Sequence, residues 1–275
     1  MKRKIILVLE RSLQSLLQFS LFEKAADILL KVYLGRHMAI RHKNTDLRLS
    51  TPNLLNKSRA ATFSSKEPET LRWIDSLPRQ SILWDIGANV GLYSCYAAKA
   101  RDCHVYAFEP SVFNLETLAR NIGLNGLCDR VTIFPLPLCR QMEIQSLNMT
   151  SMEWGGALST FGKDFGHDGR KMEKIFSFQT VGVSMDDAVG DFRIPVPDYV
   201  KMDVDGLEHL ILQGGSAVLK NIKGMLVEIN DGFAEQADVS ASILKQAGFR
   251  LVEKAHSELV HNSAFSSAYN QIWEK

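Results

Sequence analysis

The stretch that most constrains this chain is residues 82–91, Ile-Leu-Trp-Asp-Ile-Gly-Ala-Asn-Val-Gly. An apolar run from Ile82 to Trp84 ends in Asp85. Gly87 and Gly91 follow, and then a small-residue segment, Tyr93 to Ala100, with helical character. The order is strand, glycine turn, helix. Glycine lets backbone approach a neighbour closely because no Cβ intervenes. The amides of the first helical turn are expected to face the crevice beyond the strand end. In open α/β sheets, nucleotide-like ligands bind at such places.

The spacing is Asp-x-Gly-x-x-x-Gly, not the Gly-x-Gly-x-x-Gly of dinucleotide enzymes. It sets a carboxylate at the strand end, which suits a ligand that brings a cation and no pyrophosphate. S-adenosylmethionine (SAM), with an ammonium and a sulfonium, fits that description. Cys103 to Phe108 reads as the next strand and ends at Glu109. A carboxylate roughly 20 residues beyond the glycine turn is placed to accept ribose hydroxyls. The plainer reading is a tight strand–helix turn with a coincidental acid.

The remaining elements alternate. Strands are expected at 81–85, 103–108, 131–136, 199–204, 225–229, 249–253 and 269–273. Helices are expected at 69–75, 112–124, 207–219 and 239–247. Ser64 and Glu67 have the spacing of a capping box ahead of the 69–75 helix. This alternation predicts an α/β fold, a doubly wound and mostly parallel seven-stranded sheet. Residues 140–178 carry five glycines and no clear period. They read as a long inserted loop or lid, in which Trp154 and Phe161 either stack on a ligand or form a small satellite core. Residues 5–34 repeat apolar side chains at steps of three and four, the pattern of a helical appendage that docks on the main domain or on a second subunit. Residues 35–63 read as linker with little regular structure. The expected division is therefore 1–63, helical appendage and linker, and 64–275, the main domain.

Lys plus Arg number 32 and Asp plus Glu 31 in 275 residues, so no global field favours nucleic acid. Cys95, Cys103, Cys128 and Cys139 show neither Cys-x-x-Cys nor paired histidine spacing, and read as reduced thiols of a cytoplasmic protein. Lys2-Arg3-Lys4 with Ile5 to Leu9 imitates a signal peptide, but Glu10 and Arg11 cut the apolar run short. No stretch is long enough to span a bilayer. Contact of 5–34 with a membrane surface is the minor alternative to docking.

Six blocks now stand in order: Asp85 to Gly91, Ala107-Phe-Glu-Pro110, Asn121 with Leu124-Asn125, Met185-Asp-Asp187, Val200-Lys-Met-Asp-Val-Asp-Gly-Leu-Glu208, and Leu226-Val-Glu-Ile229. Together they resemble the FkbM-family methyltransferases, SAM-dependent O-methyltransferases of the class I Rossmann-like type. The resemblance spans roughly residues 64–275. Asp205 departs from it, since family members more often carry Glu there, and a change in loop geometry is expected. The resemblance implies that Asp85, Gly87, Ala88, Asn89 and Gly91 form the methionine side of a SAM site and that Glu109 takes the ribose hydroxyls. It also puts Pro137 and Leu138 near the adenine.

Methyl transfer from a sulfonium is an in-line displacement by a nucleophile that must lose its proton. Asp203, at the end of the fourth strand, is the first candidate for the base, with Glu228 and Asn230 beside it on the fifth. Asp203, Glu228, Asn230 and Asp231 are also oxygen ligands of the kind Mg²⁺ takes, though nothing in their spacing demands a metal. Asp203 and Glu208 could equally be a helix cap and a first-turn acid, and for Glu208 that reading is preferred. His209 is the nearest histidine to this edge and a second candidate base, though it reads more readily as a solvated helix residue. His256 and His261 read as loop residues that face either the acceptor or nothing. The acceptor class implied is a small molecule or glycan hydroxyl, as in sugars or polyketides. Two rivals remain. One is an N-methyltransferase, which would favour an Asn/Asp-Pro-Pro-aromatic motif where this chain reads Asp203-Val-Asp-Gly. The other is a SAM-binding or partner-binding domain without catalysis.

Overall fold

A computed structural model of the chain describes Ser12, Gln14 and residues 20–256 and 266–275. Helix α1 (Ser20–Leu34) is followed by a hairpin of β1 (His37–His42) and β2 (Thr45–Ser50). Helices α2 (Leu54–Ala61), α3 (Phe63–Lys66) and α4 (Pro68–Ser76) lead into the alternating part. There β3 (Ile82–Ile86), α5 (Leu92–Arg101), β4 (His104–Phe108), α6 (Val112–Leu124) and β5 (Val131–Phe134) wind in one direction. A three-stranded antiparallel sheet interrupts the winding: β6 (Glu143–Met149), β7 (Ser159–Phe161) and β8 (Phe176–Gly182). Then come α7 (Met185–Gly190), β9 (Tyr199–Met202), α8 (Glu208–Gln213), α9 (Ser216–Asn221), β10 (Gly224–Asn230), α10 (Ala234–Gln246), β11 (Arg250–Ala255) and β12 (Ala268–Glu274).

The central sheet has seven strands in the order β11-β12-β10-β9-β3-β4-β5. β12 runs antiparallel to both its neighbours, and the other pairings are parallel. The doubly wound, mostly parallel sheet expected from the sequence is therefore present. β3 pairs with β4 on one side and β9 on the other, so the winding reverses between β3 and β9. Such a reversal opens a crevice beyond the carboxyl ends of the two strands. One core layer gathers Leu71, Ile74, Tyr96 and Leu118 from α4–α6 on one face of the sheet. The other gathers Met185, Ile211, Leu219 and Leu244 from α7–α10 on the opposite face.

Residues 35–63, read as linker, instead carry the hairpin and α2. Leu47 and Leu49 are 1% exposed and join the first core layer. The hairpin docks through Asn121 of α6 and Asn125 at its C-cap. Asn121 Oδ1 accepts the Ser50 amide at 2.7 Å, and Asn125 bonds the Arg48 backbone through both its side-chain polar atoms. The Ser64/Glu67 capping box does not form. Ser64 lies inside α3, and α4 starts at Pro68 without a side-chain cap. The expected 207–219 helix is broken at Gly214-Gly215, where Gly214 passes too close to the Cys139 and Arg140 carbonyls, and Gly215 too close to the Met185 side chain, to admit a Cβ. Asp186 of α7 supplies the missing cap, accepting the Ala217 and Val218 amides of α9.

No helix among the described residues is long and apolar enough to cross a membrane. The described part of the 5–34 segment is helical, and Ile28, Leu29 and Val32 of α1 are more than half exposed. Most of residues 1–19 lies outside the described residues.

Candidate active site

The turn after β3 is built for close backbone contact. Gly87 has φ +79°, and a Cβ there would lie 1.9 Å from the Asp203 carbonyl oxygen. The loops after β3 and β9 therefore touch, and only glycine admits the contact. The Gly87 and Ala88 amides both donate to the Phe108 carbonyl at 3.0 Å. The Asn89 amide donates to Glu109 Oε2 at 2.8 Å, and Val90 to the Asn89 side chain. The amides of residues 87–89 are thus spent on fixing the turn to the end of β4, and that of Val90 on the Asn89 side chain, rather than left facing the crevice.

Two adjoining cavities flank this turn and share Gly87, Asn89, Ala157, Asp203 and Asp205 on their walls. The narrower one is an apolar slot walled by Phe108, Pro137, Leu138 and Phe161, with Glu109 at its side. Glu109 is 4% exposed, and its Oε1 also accepts the Ser111 amide at 2.8 Å. Burial pushes its carboxyl up to about 7 against those two bonds. The wider cavity is lined by Ala88, Lys201, Glu228 and His256, and by Arg59 and Lys66 from the chain before the central sheet.

Of the cofactor residues expected from the sequence, Gly87, Ala88, Asn89, Glu109 and Leu138 line one or both cavities. Asp85 and Gly91 stand behind them. Asp85 is 1% exposed, accepts the Ser94 hydroxyl and faces Lys201 Nζ at 3.6 Å. Gly91 abuts Leu118 of α6, and its φ of +76° sets the chain entering α5. Asp203 and Glu228 both line the wider cavity.

Sequence reasoning gave Lys201 no role. It is buried in β9, with Nζ 3.5 Å from Asp203 and 3.6 Å from Asp85. Burial alone would lower its pKa, but Asp203, Asp85, Glu67 and Glu228 outweigh that and raise it. The one sequence signal for it is a lysine two positions before an acid in an otherwise apolar strand. Glu228 is held well above the usual carboxylate range by burial and then by Asp203.

Glu208 closes the loop between Asp203 and α8. It is 1% exposed and accepts the Val204 and Gly206 amides and the Gln236 side chain. Its structural reading therefore holds, although the helix caps at Leu207 and not at Asp203. Asn230 and Asp231 turn away from the cavities: Asn230 bonds His167 and Gly232, and Asp231 pairs with Lys254. His209, expected in solvent, is 2% exposed against the Phe233 ring, with its pKa lowered by burial. His261 lies outside the described residues.

Residues 154–158 cross the cavities as a strap. Asn53 and Asn56 hold the Trp154 carbonyl, Arg59 the Gly155 carbonyl, and Asn89 and Asn114 the Gly156 carbonyl. Asp205 Oδ2 accepts the Leu158 amide at 2.7 Å. Asp205 sits at φ +60°, a left-handed conformation that Asp tolerates better than most residues. Burial and then Asp203 push its carboxyl up to about 7. The Glu-to-Asp departure thus falls on the residue that ties the strap to the β9 loop. Phe161 and Leu147 form a small core with Cys139 and Met149, and Phe161 also lines the slot.

A family model described as Methyltransferase FkbM domain matches residues 85–251. A hexuronic acid methyltransferase, AglP of Haloferax volcanii, is 27% identical over 161 residues, covering 58% of this chain and 60% of its own length. This chain thus spans about three fifths of that relative. Among solved structures, a Methyltransferase FkbM from Methylobacillus flagellatus has TM-score 0.48 and 15% identity, covering 72% of this chain and 44% of its own. A precorrin-6y C5,15-methyltransferase from Geobacter metallireducens has TM-score 0.44 and 14% identity, covering 76% and 86%. With three fifths of its length inside the family match, the chain belongs to the FkbM methyltransferase family.

Proposed function

We propose that the chain is a SAM-dependent O-methyltransferase that methylates a hydroxyl of a carbohydrate, with an acidic sugar as the leading acceptor class. The observation that carries this reading is the convergence of the Gly87–Asn89 turn, Glu109 and Asp203 on adjoining cavities where the sheet winding reverses. The residues suit SAM. The slot beside Glu109 offers apolar walls to a purine and a carboxylate to ribose hydroxyls. The wider cavity offers charged groups of both signs to an amino acid and an acceptor. When bound, SAM supplies a methyl group on a sulfonium, an electrophile with a neutral leaving group.

The protein's part is positioning, proton removal and exclusion of water. Asp203 lies at the border of the two cavities with part of its side chain exposed. It takes the hydroxyl proton as the acceptor oxygen attacks. Lys201, pinned between Asp203 and Asp85, orients that carboxylate and supplies the positive charge the acids need. Glu228, its carboxyl raised by burial, faces the wider cavity beside Asp203 and positions the acceptor there. Asp85 and Gly91 act from behind, through Lys201 and the α5–α6 packing. The strap over residues 154–158 covers the transfer point. The acidic-sugar acceptor rests on the hexuronic acid substrate in the relative's name and on the cations of the wider cavity.

The test is calorimetric titration of S-adenosylhomocysteine into wild type and Glu109→Ala, followed by an acceptor screen with labelled SAM and Asp203→Asn as control. Binding in wild type that falls at least tenfold in Glu109→Ala, with transfer lost in Asp203→Asn, supports the reading. No binding by folded wild type overturns it.

A further inference from the structure

Three cations line the wider cavity: Arg59, Lys66 and Lys201. Two have acids of their own. Lys66 pairs with Glu67 at 2.8 Å, and Lys201 is held by Asp203 and Asp85. Arg59 differs. Its guanidinium carries five donors, of which Nη2 reaches the Gly155 carbonyl at 2.7 Å. Nε is buried without a hydrogen-bond partner, and among the described residues no carboxylate pairs with this side chain. Arg59 belongs to α2, ahead of the 85–251 stretch that the family model matches.

Two features hold the guanidinium in place. The α2 helix is fixed by the Asn53 cap and by Asn56, both of which also bond the strap at Trp154. The bond to Gly155 then ties the arginine head to the same strap. A planar guanidinium so anchored at one nitrogen, with others unused, matches the two oxygens of a carboxylate. Asp203 and Asp205 share this cavity wall, so a ligand acid is drawn to the arginine and away from these two carboxyls.

We propose that Arg59 is the carboxylate-binding residue of this site, a role that rests on the methyltransferase reading above. Two ligand carboxylates have the required chemistry: the amino-acid end of the cofactor and the acid group of a uronate acceptor. The test uses Arg59→Gln and the charge-retaining Arg59→Lys, each checked for an unchanged unfolding temperature. S-adenosylhomocysteine and 5′-methylthioadenosine, which lacks the amino-acid end, are titrated into each protein. Glucuronate and glucose are then followed by ligand-observed NMR on protein saturated with S-adenosylhomocysteine.

A loss of at least tenfold for S-adenosylhomocysteine in Arg59→Gln, with methylthioadenosine within twofold and partial recovery in Arg59→Lys, assigns the cofactor's carboxylate. Unchanged cofactor binding, with the glucuronate signal abolished in Arg59→Gln and the glucose signal kept, assigns the acceptor's. Either result supports the proposal. Equal loss for both nucleosides overturns it and leaves Arg59 a tether for the strap. So does no change in either arm, whether glucuronate binds all three proteins or none. Wild type that binds neither nucleoside overturns the methyltransferase reading and this assignment with it.

Discussion

At the scale of single residues, two glycines of one motif do different work. Gly87 is where the β3 and β9 loops meet, and a methyl group there would strike backbone. Gly91 has a similar φ, but its neighbour is the end of the Leu118 side chain rather than backbone. Gly87→Ala is therefore expected to cost roughly 3 kcal/mol or more and to abolish cofactor binding in whatever folded protein remains. Gly91→Ala should cost about 1–2 kcal/mol, chiefly from its left-handed backbone, and leave cofactor affinity within a few-fold. Denaturant melts and titration with S-adenosylhomocysteine separate the two. Lys201 is a second case. Its removal leaves Asp85, 1% exposed, without its cation. Breaking a buried pair from one side costs about 3–5 kcal/mol. Lys201→Met should accordingly lose more stability than Asp203→Asn, whose side chain is partly exposed, while both lose transfer activity. Melts of the two variants check the order.

At the scale of elements, the strap depends on side chains far away in sequence. Asn114 accepts the Gly155 amide, donates to the Gly156 carbonyl and reaches Glu109 Oε1 at 3.4 Å. Asn114→Ala removes all of these at about 0.5–1.5 kcal/mol each. The expected result is faster amide exchange over residues 154–158 and weaker cofactor binding, with exchange in β3 and β10 unchanged. Hydrogen exchange read residue by residue decides it. These tethers also show why the sequence was legible in some places and not in others. The central strands announce themselves because they are buried on both faces and read as short apolar runs, as Ile82 to Trp84 does. The hairpin and the β6–β8 sheet have one face in water, so Glu143, Gln145 and Arg48 interrupt their pattern. What fixes them is a contact such as Asn121 to Ser50, 71 positions apart, which no local window contains. The site divides the same way. Gly87, Glu109 and Asp203 sit in motifs with their own spacing, whereas Arg59, and Lys201 although it stands inside the Val200–Glu208 block, take their roles from what the fold brings beside them.

At the scale of the whole molecule, the site leaves the protein with several buried acids and a definite response to pH. Burial is the main cause that lifts Glu109, Asp205 and Glu208 each to about 7. Glu228 is raised as well, by burial and then by Asp203. A carboxyl whose folded pKa lies above its unfolded value near 4 binds its proton more tightly when folded. Its contribution to stability is fully present below the unfolded pKa and is lost as pH rises through the folded one. Glu67 and Asp198 are shifted down and act in the opposite sense, but their loss falls at lower pH, outside the window from 5 to 8. His209, lowered by burial, opposes the trend inside that window but is one group against several carboxyls. Lys201, raised, holds its contribution throughout that window. The ligand-free protein should therefore be most stable near pH 5, with an unfolding temperature that falls by roughly 5–10 °C toward pH 8, since about 1 kcal/mol shifts a chain of this size by a few degrees. Unfolding across that range releases protons. Glu109→Gln removes one of the three titrations near 7, so its unfolding temperature should fall less steeply with pH than that of wild type. Scanning calorimetry of both proteins at half-unit steps measures the slopes. A wild-type curve that rises from pH 5 to 8 would mean that these carboxyls are ionised in the folded protein at pH 5.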